Sequence, residues 1–129
     1  MADKYNLGNI NSIIETELFS GIAGNVEGTN TGTITLNDKL SNYKFLVFDF
    51  KVKLVKLNNY YYISKIILSD QIVNLVNLKE PNTMIDFCWH FSNVYQNEND
   101  YFDIFNTSTL TSLDYRSNRS QCIRIVGIN

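Results

Sequence analysis

The sequence predicts an all-β domain, an antiparallel, jelly-roll-like β-sandwich of about seven to eight strands, and three observations carry that expectation. Apolar and polar residues alternate over many short runs, which sets successive side chains on opposite faces of a sheet. The runs are separated by Asn, Asp, Gly and Ser, the residues that make turns. No long stretch holds the 3.6-residue period of a helix, so a sandwich or barrel is favoured over any α/β design. A chain of 129 residues has the size of one domain and buries roughly two thirds of the surface its unfolded form exposes, so it needs no disulfide or metal to fold. Hydrophobic residues at 44% against charged residues at 19% exclude an intrinsically disordered chain.

Taken in order, residues 1–14 are polar and aperiodic and read as a linker or as the stub of an upstream element, with the single domain spanning residues 15–129. A first strand is expected over residues 16–20, turns at Gly21, Gly24 and Gly28, and a second strand over residues 32–36. Residues 38–42 read as a turn or short helical turn. The clearest alternation is Phe48-Asp49-Phe50-Lys51-Val52-Lys53-Leu54, apolar at every even position and charged at every odd one, which is a strand with one wet face. Asn58-Asn59 divides it from a strand over residues 60–68, so the pair reads as a hairpin. Residues 71–78 hold Ile72, Val73, Leu75, Val76 and Leu78, a spacing that suits a short helix nearly as well as a strand; their brevity and Val/Ile content favour a strand. Pro81 falls in a loop, and further strands are expected at residues 84–95, 101–106 and 120–128.

Charge and composition narrow the chemistry. Lys and Arg number 11 against 13 Asp and Glu and are spread thinly, so the clustered positive face of a nucleic-acid binder is missing. Asp49, Lys51, Lys53 and Lys56 interrupt the most hydrophobic stretch, which rules out a membrane-inserted helix, and residues 1–6 lack the order of a secretory signal. Cys88 and Cys122 lie among hydrophobic residues and read as small buried side chains, with a disulfide between neighbouring strands as the alternative.

His90 is the only histidine. On a strand it shares a face with Asp86 and Cys88, but neighbours along one face point in parallel and do not converge on one atom, so neither a catalytic triad nor a metal site is expected. Glu98, Asp100 and Asp103 lack the glycine and closing glutamate of a calcium loop and read as a solvated acidic turn. No cofactor is expected.

The aromatics are more informative. In the run Tyr60-Tyr61-Tyr62 adjacent side chains must face opposite ways, so at least one tyrosine is exposed or at an interface. An exposed tyrosine beside Asn or Asp offers a ring to stack on a sugar and polar tips to bind its hydroxyls. The candidate ligand-binding residues are Tyr60, Tyr61, Trp89, Tyr95 and Tyr101, with Asp100 as a hydrogen-bonding partner. Core filling is the alternative for all these rings.

Four features in order, Thr16-Glu17-Leu18-Phe19-Ser20-Gly21, Gly32-Thr33-Ile34-Thr35-Leu36, Leu40-Ser41-Asn42-Tyr43-Lys44-Phe45-Leu46-Val47 and Ile123-Arg124-Ile125-Val126-Gly127-Ile128-Asn129, resemble the C-terminal domain of tail-fibre, baseplate and receptor-binding proteins of phages and prophages of Gram-positive bacteria. The resemblance covers both ends of the domain and leaves residues 58–118 unmatched. It implies an antiparallel β-sandwich assembled as a homotrimer at the tip of a tail appendage, in contact with other tail proteins, that attaches the virion to a host cell-surface glycan. It carries over no catalytic residues, and a virion protein released by lysis needs no signal peptide. The alternatives are a structural tail or baseplate module without a ligand and a stand-alone carbohydrate-binding module. A small hydrolase centred on Asp86/His90 or Asp100/Asp103 is the least favoured reading.

Overall fold

The computed structural model describes residues 14–54, 57–77, 84–88, 100–105 and 109–129. Its elements are β1 (Glu15–Thr35), a 3-10 turn (Leu40–Asn42), β2 (Phe45–Leu54), β3 (Asn59–Leu68), α1 (Ser69–Asn77), β4 (Met84–Cys88), β5 (Tyr101–Phe105) and β6 (Ser112–Ile128). The six strands form one antiparallel sheet that curls into a half-barrel. Among the described residues, no helix is long and apolar enough to cross a membrane.

The long strand β6 organises the sheet. Along its whole length it pairs with β1, while its other edge is shared: β5 lies against residues 114–118 and β2 against residues 120–128. The hand-over falls at Arg119, whose φ of 52° puts it in the left-handed region that non-glycine residues seldom occupy. β6 therefore bends there and carries two wings, β2–β3 on one side of the bend and β4–β5 on the other. The wings meet through aromatic rings. Phe48 and Phe50 of β2 each lie 5.2 Å from Phe87 of β4, Phe50 lies 5.1 Å from Phe102 of β5, and Phe102 stacks on Tyr115 of β6 at 5.2 Å. Phe48, Phe50 and Phe102 are fully buried, the side chains that alternation on β2 and β5 aims inward.

Two expectations need correction. The strands expected at residues 16–20 and 32–36 are one strand, β1, in which Gly21 and Gly28 fall in bulges in place of turns while Gly24 stays paired opposite Gln121. Register shifts fall between Glu17 and Phe19, Ser20 and Ala23, and Asn25 and Thr29, because β1 must follow the bend of its partner and extra residues are how a strand bends. Gly24 adopts φ +111°, where a Cβ would collide with the Ser120 carbonyl and the Ser117 hydroxyl, and its N–H donates to the Tyr115 hydroxyl at 3.0 Å.

The second correction is the strand expected at residues 71–78. Ser69–Asn77 is a helix, with Ile72 and Leu75 buried and Asp70, Gln71 and Asn74 exposed. A strand would have placed Asn74 on the apolar face between Ile72 and Val76. The i, i+3, i+4 spacing of Ile72, Leu75 and Val76 instead puts the three apolar side chains together. The β2–β3 hairpin, the short helical turn after Asp38 and the strand beginning at Tyr101 stand as expected, while β6 starts eight residues earlier than the expected strand. Cys122 is a free, buried thiol, pushed well above its ordinary pKa by burial, so it behaves as a small hydrophobe and not as half of a disulfide. The expectations for residues 1–13, Pro81 and residues 89–95 fall outside the described residues.

Candidate functional site

The outward face of the β2–β3 hairpin gathers the exposed aromatics. On β2 the buried positions are Leu46, Phe48, Phe50, Val52 and Leu54, which leaves Phe45, Val47, Asp49, Lys51 and Lys53 outward. The antiparallel register sets these opposite Leu68, Ile66, Ser64, Tyr62 and Tyr60 of β3, respectively. Opposite residues share a face, so Tyr60 and Tyr62 stand beside Lys53 and Lys51 on the outer surface. Tyr62 is 62% exposed and Tyr60 41%.

The polar groups around these rings are placed by direct contacts. Lys51 Nζ sits 4.3 Å from the centre of the Tyr60 ring, a cation–π distance. Lys53 pairs with Glu27 of β1, and Ser64 Oγ donates to Asp49 Oδ1 at 2.6 Å. Together they make an open shelf: two tyrosine rings, two ammonium groups, a hydroxyl and two carboxylates. Rings stack on apolar sugar faces while the ammonium, hydroxyl and carboxylate groups exchange hydrogen bonds with hydroxyls.

The structure divides the six predicted residues. Tyr60 belongs to the shelf. Tyr61 is on the opposite face of β3, the face through which Ile63 and Ile67 pack on the core, and is itself 44% exposed. Tyr101 begins β5 in the other wing, where its carbonyl accepts from Ser120 Oγ at 2.6 Å and its side chain is half-buried. Trp89 and Tyr95 lie outside the described residues.

Asp100 is buried, and its side chain has 0% exposure where Arg119 Nε donates to Oδ1 at 2.7 Å. It pairs with Arg119 where β6 passes from β5 to β2. Sequence reasoning passed over Tyr62 and Lys51. Extending the alternation of Asp49, Lys51 and Lys53 across the hairpin turn places them on the face of Tyr60.

The acidic turn expected at Glu98, Asp100 and Asp103 also takes a different form, with Glu98 outside the described residues. Asp103 is only 5% exposed, lies opposite Asp86 on β4 and accepts from Arg116 Nε at 3.1 Å. Burial, and then the neighbouring Asp86 carboxyl, push its pKa up to about 6, outweighing the pull of Arg116. Its Oδ1 is buried without a hydrogen-bond partner. Among the described residues, no three His, Cys, Asp or Glu side chains group as metal ligands. Comparison with protein-family models and with curated proteins found no match to this chain.

Proposed function

We propose that this chain is a binding module and not an enzyme: a receptor-binding domain at the tip of a phage or prophage tail that attaches the virion to a saccharide of the host cell surface. The observation that carries the reading is the pair Tyr60 and Tyr62, exposed on one face and flanked by Lys51 and Lys53. Solvent-facing tyrosine rings leave apolar area in water, and a flat shelf of rings with polar tips is the surface a sugar ring stacks on. The sequence features at both ends of the domain support the tail assignment. The same reading takes the two wings as the two sheets of a jelly-roll-like β-sandwich, supported by the Phe48, Phe50, Phe87 and Phe102 contacts between them. It takes the working form as a homotrimer held by other tail proteins in the virion. Binding to a repeating glycan is weak per site, and three linked sites raise it by effective concentration.

Fluorescently labelled protein should bind intact cells of a panel of Gram-positive bacteria, with Tyr62→Ala reducing binding to responsive cells by about tenfold, as the loss of one stacked ring would. A wild-type protein that binds no cell in the panel, or a Tyr62→Ala variant that binds as well as wild type, contradicts the reading.

A purely structural tail or baseplate module is the second reading, favoured by the apolar end of the same face, where Phe45, Ile66 and Leu68 are exposed.

A further inference from the structure

We infer that the tyrosine shelf is one end of a longer binding band, which crosses β2 and β6 toward β1 and takes an uncharged oligosaccharide lying across the strands. The inference deepens the saccharide reading of the shelf and rests on it. Two rows of outward side chains define the band. In the first, Ser64 of β3, Asp49 of β2 and Arg124 of β6 are successive cross-strand partners; in the second, Tyr62, Lys51 and Gln121 are. Partners across an antiparallel pair share a face, so Arg124 and Gln121 stand on the surface of Tyr60 and Tyr62. Glu17 of β1 closes the first row, accepting from Arg124 Nε at 3.0 Å.

The first row suits a run of sugar hydroxyls. From β3 to β1 it presents a hydroxyl, a carboxylate, a guanidinium and a carboxylate, so donors and acceptors alternate, and each sugar hydroxyl both donates and accepts. Neighbours hold these groups in place before a ligand arrives: Ser64 Oγ donates to Asp49 Oδ1 at 2.6 Å, and Glu17 anchors Arg124. Side chains already ordered lose little further freedom on binding. Hydrogen-bonding capacity nevertheless remains. Within the described residues, Asp49 Oδ2, the two terminal guanidinium nitrogens of Arg124 and the Gln121 amide make no hydrogen bond, and the Arg124 side chain is 49% exposed.

Length and charge define the ligand. From β3 to β1 the band covers three strand spacings of roughly 4.8 Å, and a sugar ring in a chain advances by about one such spacing, so about three residues fit. Opposite charges on the band cancel: Glu17 against Arg124, Asp49 against Lys51 and, at its edge, Glu27 against Lys53. A ligand bearing phosphate or carboxylate meets as many anions as cations here, whereas an uncharged one meets no like charge.

Cell-wall polysaccharide from a responsive strain, cut by partial hydrolysis and sorted by length and charge, supplies the probes, and NMR titration of the wild type and of Arg124→Ala measures their binding. Uncharged trisaccharide fragments should bind the wild type about tenfold more tightly than monosaccharide fragments, and Arg124→Ala should remove most of that gain, the effect of one charge-assisted hydrogen bond, while binding monosaccharides as the wild type does. The exposed Arg124–Glu17 pair contributes little to stability, so the variant keeps the fold, and far-UV circular dichroism checks this. Equal affinity for short and long fragments, an Arg124→Ala variant that binds trisaccharides as tightly as the wild type, or tighter binding of anionic fragments would overturn the band and leave the tyrosine shelf standing. A wild type that binds fragments of no length would overturn both.

Discussion

Asp103 and Asp100 illustrate how much a residue's role depends on what the fold packs around it. In the sequence both look like members of a solvated acidic turn, because a carboxylate in an Asn-rich stretch is ordinarily wet. The fold buries each beside an arginine of β6, Arg116 for Asp103 and Arg119 for Asp100. Neither arginine is near them in sequence, so the pairing was illegible before the register of β5 on β6 was known. The consequence at Asp103 is measurable. Its pKa rises from 3.8 to about 6, so the folded state holds the proton more tightly than the unfolded state. The stability this confers is fully present below about pH 3.8 and is lost as pH rises through about 6, a change on the order of 2 kcal/mol. Asp38 acts in the opposite sense: its carboxylate accepts from Tyr43 Oη, Lys39 N and Asn42 Nδ2 and is held below its ordinary pKa, so its contribution is lost as pH falls below about 3.8. Urea unfolding at intervals between pH 4 and pH 7 should show stability declining toward neutrality, and Asp103→Asn should flatten that slope. An unchanged slope in the variant would assign the pH dependence to other groups.

At the scale of elements, the strands with strict alternation were legible and the bent or short elements were not. β2 could be read residue by residue because one of its faces meets the aromatic core and the other meets water, so period two is imposed on every position. β1 could not, because its bulges are dictated by the bend in β6 at Arg119 and a glycine-rich run signals a turn and a bulge equally well. α1 was ambiguous for a related reason: nine residues span too few turns to separate the two periods, and Asn74 alone marks the difference. The reading of β1 as one continuous strand makes a specific demand on Gly24, which pairs opposite Gln121. Its φ is +111°, and a Cβ added there would lie 2.3 Å from the Ser120 carbonyl oxygen, so there is no room for one. Gly24→Ala should therefore destabilise the fold by about 2 kcal/mol or more in chemical denaturation, whereas Gly28→Ala, where a Cβ would meet nothing within 4 Å, should change stability by less than ~1 kcal/mol. Equal effects at the two positions would argue that the segment is a loop, as the sequence alone had implied.

Across the whole molecule, the all-β class was legible because alternation is distributed along much of the chain, while the arrangement of two wings on one bent β6 depends on pairings between residues as distant in sequence as Glu15 and Ile128. The site shows the same division. The tyrosine run could be found in the sequence, yet which of its members share a face with Lys51 and Lys53 follows from the register Leu54–Asn59 at the hairpin turn. That register gathers Tyr60, Tyr62 and Ser64 with Lys51 and Lys53 on one surface, the surface proposed for glycan recognition. The most direct test of that central claim is a titration of the isotope-labelled chain with cell-wall polysaccharide from a responsive strain, followed by backbone and side-chain NMR. Shifts concentrated at Lys51, Tyr60, Tyr62 and Ser64, with Asp100 and Tyr101 unmoved, are the predicted result. Shifts centred on the β4–β5 wing, or none at saturating polysaccharide, would contradict it.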